Sequence, residues 1–136
     1  MNKNIFNNKK SKQRYLDYAY KIGLKKFILS LDESNKIPLE DIHEIQIYMD
    51  EHTTATDGKY ELREGILQEL KEGTFNSNYK IFYKPICCNL KSVILNHYHS
   101  HEKSLIRVAD IYANYAFWTF NNNMNLLYEI FVCDLP

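Results

Sequence analysis

Glycine and proline are scarce in this chain, at four and three of 136 residues, which argues against a sandwich built on many tight turns. No stretch approaches the roughly 20 apolar residues that a membrane span requires, so no membrane insertion is expected. The opening MNKNIFNNKK holds no apolar run of the secretory kind. Cys87, Cys88 and Cys133 are odd in number and lack the spacing of a metal site. Together these features lead to the expectation of a soluble cytoplasmic protein in a reducing compartment, its thiols serving as core or surface filler. A Gly-rich run before a helix is also missing, which argues against ATP-type phosphate binding.

Net charge is missing too, at zero, and a neutral total argues against a protein that coats nucleic acid. The charges are nevertheless segregated. Residues 1–26 carry eight Lys/Arg against one acid (+7), residues 27–73 four against twelve (−8), and the remainder five against four (+1). The basic end could meet phosphates or an acidic partner, but the simpler expectation is that it meets this chain's own acidic middle. What is abundant is aromatic: eleven Tyr, seven Phe and one Trp. The length suits one domain with a real core. Residues 1–12 read as a polar basic tail and 13–136 as a single domain.

Periodicity outlines the elements. Gln13–Leu31 is helical, with Leu16, Tyr20, Leu24, Phe27, Ile28 and Leu31 on one face and Lys21, Lys25 and Lys26 mostly on a solvated one. Gly23 would mark a close approach within it. Asp32–Pro38 is a loop of capping and turn residues. In Glu44–Asp50, Ile45, Ile47 and Met49 alternate with Gln46, Tyr48 and Asp50, as in a half-buried strand. Tyr60–Lys71 is a helix closed by Gly73. Tyr79–Lys84, stopped by Pro85, and Ser92–Tyr98 are strands. Ser104–Trp118 is a long helix broken by Asn121–Asn123, and Leu126–Val132 a last helix. The result is an α/β layout with helices packed on a small mixed sheet of about three strands.

The long helix carries the first chemical signal. Leu105, Ala109, Tyr112, Ala116 and Phe120 form one apolar stripe, widened by Ile106, Ala113 and Phe117 beyond what a surface helix needs. Asp110 sits on or beside that face, where a carboxylate needs a hydrogen-bond partner, a cation or a proton. Asp50, ending a strand, is its natural companion: two acids converging at a strand end can hold Mg²⁺ with waters, or grip a two-metal cluster. Glu51 and Asp57 read as solvated loop charges. His97, His99 and His101, with Glu102, alternate in a way that could gather three imidazoles on zinc. The plainer expectation is a polar strand-to-helix corner, or one histidine shuttling protons beside Asp110. A Cys87/Cys88–His97/His99 nucleophile lacks any orienting motif.

HYHSHEKSLIRVADIYAN, following a strand and opening a helix, resembles the carboxy-terminal signature of the RNase H-like bacterial group called domain-of-unknown-function family 3800. Ser100 matches its Ser, and Val108, Ala109 and Asp110 match the end of its Gln-x-Ala-Asp signature, with Arg107 in place of Gln. YMDEHT, with Asp50, resembles the family's central strand and acid. The similarity covers roughly Leu16–Phe120. Family members begin with a strand bearing an Asp-Glu-Ser-Gly-like motif, which Asp32-Glu33-Ser34-Asn35 resembles only superficially, after a helical pattern. The resemblance implies a truncated RNase H-like fold, and nuclease-like chemistry using Mg²⁺ or Mn²⁺ on Asp50 and Asp110, with Asp32 or a partner's acid completing the set.

Two functions are therefore expected. One is a small non-catalytic binding or regulatory protein on a degenerate RNase H-like scaffold, such as an inhibitor from a phage or mobile element. It would engage a protein partner or a second copy through an open sheet edge. The other is a divalent-metal nuclease cleaving RNA or DNA phosphodiesters through Asp50 and Asp110.

Overall fold

A computed structural model describes residues 9–50, 58–99, 101–125, 131 and 133. In order the elements are α1 (Lys9–Glu33), a 3₁₀ turn (Leu39–Asp41), β1 (Glu44–Asp50), α2 (Gly58–Leu67), a π-helical turn (Gln68–Glu72), β2 (Thr74–Asn76), β3 (Ile81–Tyr83), β4 (Ser92–Tyr98) and α3 (Ser104–Asn121). The class is mixed α/β.

The strands do not form the single three-stranded sheet expected. Among the described residues there are two separate ladders: β1 runs parallel to β4, from Glu44↔Ser92 to Asp50↔Tyr98, and β2 pairs antiparallel with β3. The missed strand, β2, is three residues long, too short to show a period of two. Its partner β3 is exposed along its length, so no apolar face announces the hairpin.

The core lies where β1, β4, α1 and α2 meet. Ile28, Met49, Leu62, Ile66, Leu70, Cys87, Leu90, Val93 and Leu95 form one buried cluster, flanked by Leu24, Ile45 and Ile47. β1 and β4 supply it through alternate positions, as the strand period requires. Burial pushes the Cys87 thiol up from its usual pKa, with the neighbouring Cys88 adding to the rise, so Cys87 behaves as a small apolar core residue.

Several local features differ from the sequence-based picture. α1 starts at Lys9, inside the stretch expected as a tail, and runs through Glu33. No atom comes within 4 Å of a Cβ built at Gly23, so this glycine marks no close approach. α1 ends in turns that place Asn35 at φ 57°, a conformation asparagine tolerates. Leu126–Val132 falls outside the described residues except for Phe131, which is not helical and packs its ring 5.6 Å from that of Phe27.

The π-helical turn ends at Gly73, whose N–H donates to the Gln68 carbonyl at 2.8 Å. Helix ends leave carbonyls without intrahelical partners. Here the Leu70 carbonyl accepts from both Ile86 N–H (3.0 Å) and Cys87 N–H (2.8 Å). That fork ties the end of α2 to the segment leading into β4. No described helix is long and apolar enough to cross a membrane.

Candidate functional site

Asp50 and Asp110 line one cavity of about 380 Å³, at the carboxyl end of β1. Tyr20 and Leu24 from α1, Leu62 and Ile66 from α2, and Ile106, Ala109 and Ala113 from α3 complete most of its wall. The placement follows from helical geometry. Ile106, Ala109, Asp110 and Ala113 fall within one side of α3, and Ile106 is the residue of that side that is buried. Asp110 itself is exposed at the rim and Asp50 half-buried. Burial, and secondarily the charge of Asp17, raise the Tyr20 pKa above its ordinary value, so the cavity wall holds a neutral hydroxyl.

Asp32 does not line this cavity. It lies near the end of α1, and its Oδ1 accepts from the Leu39 N–H at 3.2 Å, capping the 3₁₀ turn before β1 begins. Among the described residues, no three His, Cys, Asp or Glu side chains form a group that could hold a metal ion. Glu51, Asp57 and Ser100 lie outside those residues.

The histidine run forms a corner. β4 ends at Tyr98, so His99 and His101 lie beyond the strand, where their rings stack at 5.3 Å with 17° between planes. Glu102 closes the corner by donating its N–H to the His99 carbonyl (2.9 Å) and accepting the His99 N–H on Oε2 (3.3 Å). Tyr48 of β1 and Tyr98 of β4 meet edge-on at 5.6 Å. The Lys103 ammonium sits 4.6 Å from the Tyr98 ring centre and 5.4 Å from that of Tyr48. This cation–aromatic cluster holds the turn into α3. Lys103 showed no signal in sequence, because its partners are five and 55 positions away.

Sequence reasoning also missed Glu69. It is almost fully buried, with its side chain 5% exposed, on the π-helical turn. Lys25 Nζ donates to Oε1 at 2.9 Å, Thr74 Oγ1 donates to Oε2 at 2.6 Å, and Lys21 Nζ stands 4.0 Å from Oε2. Burial pulls the Glu69 pKa up, but the bonds from Lys25 and Thr74 and the two ammonium charges outweigh it, leaving it below the usual value. Lys21 and Lys25 are thus not the solvated face their spacing suggested. They are the basic end meeting the acidic middle. The three charges sit beside a groove of about 780 Å³ between α1 and the β2–β3 hairpin.

α3 presents the largest departure. The expected stripe of Leu105, Tyr112 and Phe120 is not the buried one: these residues are 65%, 44% and 55% exposed. Leu105, Val108, Ile111, Tyr112 and Trp118 share the side turned away from Ile106, and all are exposed. Phe117 and Phe120 lie on the Ile106 side yet remain exposed, whereas Thr119, in the same half of the helix but on the other side, is 1% exposed and donates its hydroxyl to the Tyr115 carbonyl at 2.7 Å.

Comparison with protein-family models, with curated proteins and with solved structures finds no match.

Proposed function

We propose that this chain works by binding a protein partner, as a small non-catalytic or regulatory protein on a scaffold that resembles the RNase H-like group. The exposed apolar surface of α3 carries the reading. Leu105, Val108, Ile111 and Trp118 leave apolar surface exposed on α3, and burial of such surface is the main favourable term in association. Soluble monomers rarely leave a continuous apolar patch of this kind open. Among the described residues β1 and β4 pair only with each other, and the edges of that ladder would offer backbone donors and acceptors as a second point of attachment.

A charge in the middle of that surface is the test. Ile111→Arg touches no core residue, so folding stability should change by under about 0.5 kcal/mol. Complex formation, followed by sedimentation of the native chain with its partner fractions, should be lost. Complexes that survive Ile111→Arg and Leu105→Arg together would sink the assignment of α3.

One observation favours a second reading, a divalent-metal nuclease: Asp50 and Asp110 share a cavity wall. Two carboxylates with waters suit Mg²⁺ or Mn²⁺, which would neutralise phosphate charge and activate water. Asp50 would bind the ion from the strand end, Asp110 from the rim of α3, and the Tyr20 hydroxyl would orient a water. This reading predicts Mg²⁺-dependent nicking of RNA or DNA that Asp110→Asn abolishes without altering the unfolding midpoint. Nicking at an undiminished rate in that variant would remove Asp110 from the assignment.

A further inference from the structure

We infer that the groove between α1 and the β2–β3 hairpin binds single-stranded nucleic acid, its lysines against phosphates and its tyrosines against bases. Neither the α3 surface nor the Asp50–Asp110 cavity takes part in it. Tyr20 and Leu24 of α1 line that cavity, whereas Tyr18, Lys21, Ile22, Lys25 and Leu29 lie on the opposite side of the helix and line the groove.

Charge is the first support. Lys21, Lys25 and Lys26 line the groove against one carboxylate, Glu69, a formal excess of two positive charges. Residues 18–29 and 74–84, which supply most of its walls, carry five lysines and no acid. Glu69 is itself nearly buried and takes its hydrogen bond from Lys25. Lys21 Nζ stands 4.0 Å from that carboxylate, beyond hydrogen-bond length, with its side chain 25% exposed. A neutral chain can still hold a basic groove, because charges more than about 10 Å away are largely screened at ~0.1 M salt.

The rings are the second. Tyr18 on α1 and Tyr83 on β3 are 39% and 44% exposed. Each has a lysine over it, with Lys21 Nζ 5.9 Å from the Tyr18 ring centre and Lys25 Nζ 5.8 Å from that of Tyr83. Phe75, 60% exposed, adds a third ring to the lining. A ring open to stacking beside a cation open to phosphate is what a single strand needs, since its bases and phosphates alternate. An acidic peptide would use the cations and leave the rings idle. A duplex would too, because its bases already stack on one another.

Extent is the third. A smaller depression of about 190 Å³ shares Tyr18 and Lys21 with the groove and adds Arg14 and Asp17. The lined surface therefore continues along α1, as the track of a strand does, rather than closing around one small molecule.

The experiment is fluorescence anisotropy of labelled oligothymidylate and oligouridylate of about twelve nucleotides. Each is titrated with the native chain, Tyr18→Ala, Tyr83→Ala, Lys21→Gln and, as an exposed cation outside the groove, Lys91→Gln. The native chain should bind at least one strand with a Kd on the order of 10 µM near 0.1 M salt. Each tyrosine variant should weaken binding about tenfold. Lys21→Gln should lower the slope of log K against log salt by about 0.7, one phosphate contact on a single strand. Lys91→Gln should match the native chain, and circular dichroism should be unchanged throughout. Tyr18→Ala, on a helix that tolerates alanine, keeps the test valid if Tyr83→Ala unsettles the hairpin. Binding of neither strand overturns the proposal. So does a loss in Lys91→Gln equal to that in Lys21→Gln, or displacement by oligoglutamate as effective as by unlabelled strand, since either marks attraction between charges alone.

Discussion

Glu69→Ala should cost about 3 kcal/mol of stability and lower the urea midpoint by on the order of 2 M. The substitution strands the Lys25 ammonium, whose side chain is 14% exposed, and leaves Lys21 and the Thr74 hydroxyl without their acceptor. Removing one member of a buried ion pair is expensive because the remaining charge has lost its water and gained nothing in return. Replacing both members, as in Glu69→Leu with Lys25→Met, should recover most of the loss, since a packed apolar pair has no charge to desolvate. Full recovery would show that the ion pair adds no net stability over a packed apolar pair. A Glu69→Ala midpoint equal to the native one would show that the pair contributes nothing.

The same group sets an acid dependence. The folded state holds the Glu69 pKa below its ordinary value, so between the folded and unfolded values the unfolded chain binds more protons, and stability rises with pH. The contribution is complete above the ordinary glutamate range near pH 4–5 and fades as pH falls through the folded value. Glu69→Gln retains an acceptor but no charge. The stability gap between native and Glu69→Gln should therefore be largest at neutral pH and shrink toward pH 3, as urea titrations at each pH would show. A gap that stays constant over that range would contradict the linkage.

Gly73→Ala is the second large effect, about 3 kcal/mol and a fall in Tm on the order of 10 °C. Gly73 has φ 86° and ψ 167°, a region that only glycine occupies without strain. A Cβ there would stand 2.7 Å from both the Phe82 ring and the Tyr83 carbonyl oxygen. The half-exposed ring can swing away, but the Tyr83 carbonyl belongs to the strand paired with Thr74, so the hairpin itself must shift. Thr74 also holds Glu69, so the strain reaches the buried charge. Thermal unfolding by circular dichroism reads the effect, and a native Tm would refute the geometric argument.

The parts of the fold with long, unbroken periodicity were visible beforehand. Glu44–Asp50 and Ser92–Tyr98 match β1 and β4 residue for residue, the first legible from its alternation and the second from its β-forming Val93, Ile94 and Leu95. Gly73 was legible as a helix stop. The hairpin was half legible: Ile81–Tyr83 carries β-forming residues, but Thr74–Asn76 shows its strand character only through its partner.

The candidate site divides in the same way. Asp110 and Asp50 were singled out because a carboxylate on an apolar helix, and another at a strand end, are locally conspicuous. That they line one cavity depends on α3 crossing the end of β1, which no spacing encodes. Asp32 looked equally acidic and stands elsewhere, because the turn after α1 uses it as a cap. Glu69 looked like any acid in a helix whose apolar residues drew attention. Its burial is decided by a π-helical turn that rotates it toward Lys25, 44 positions away.

By itself, then, the sequence determined the main helices and the two seven-residue strands, the separation of basic and acidic halves, and the two aspartates, one on an apolar helix and one at a strand end. These are local properties, fixed by side-chain period and by the chemistry of single residues. The tertiary structure alone decided that the described strands form two ladders, that the basic helix closes on Glu69, and that α3 buries Ile106 and Thr119 while Leu105, Ile111 and Trp118 stay exposed. Each depends on which surfaces meet, and a helix with apolar residues on more than one side does not say in its sequence which of them will find a neighbour.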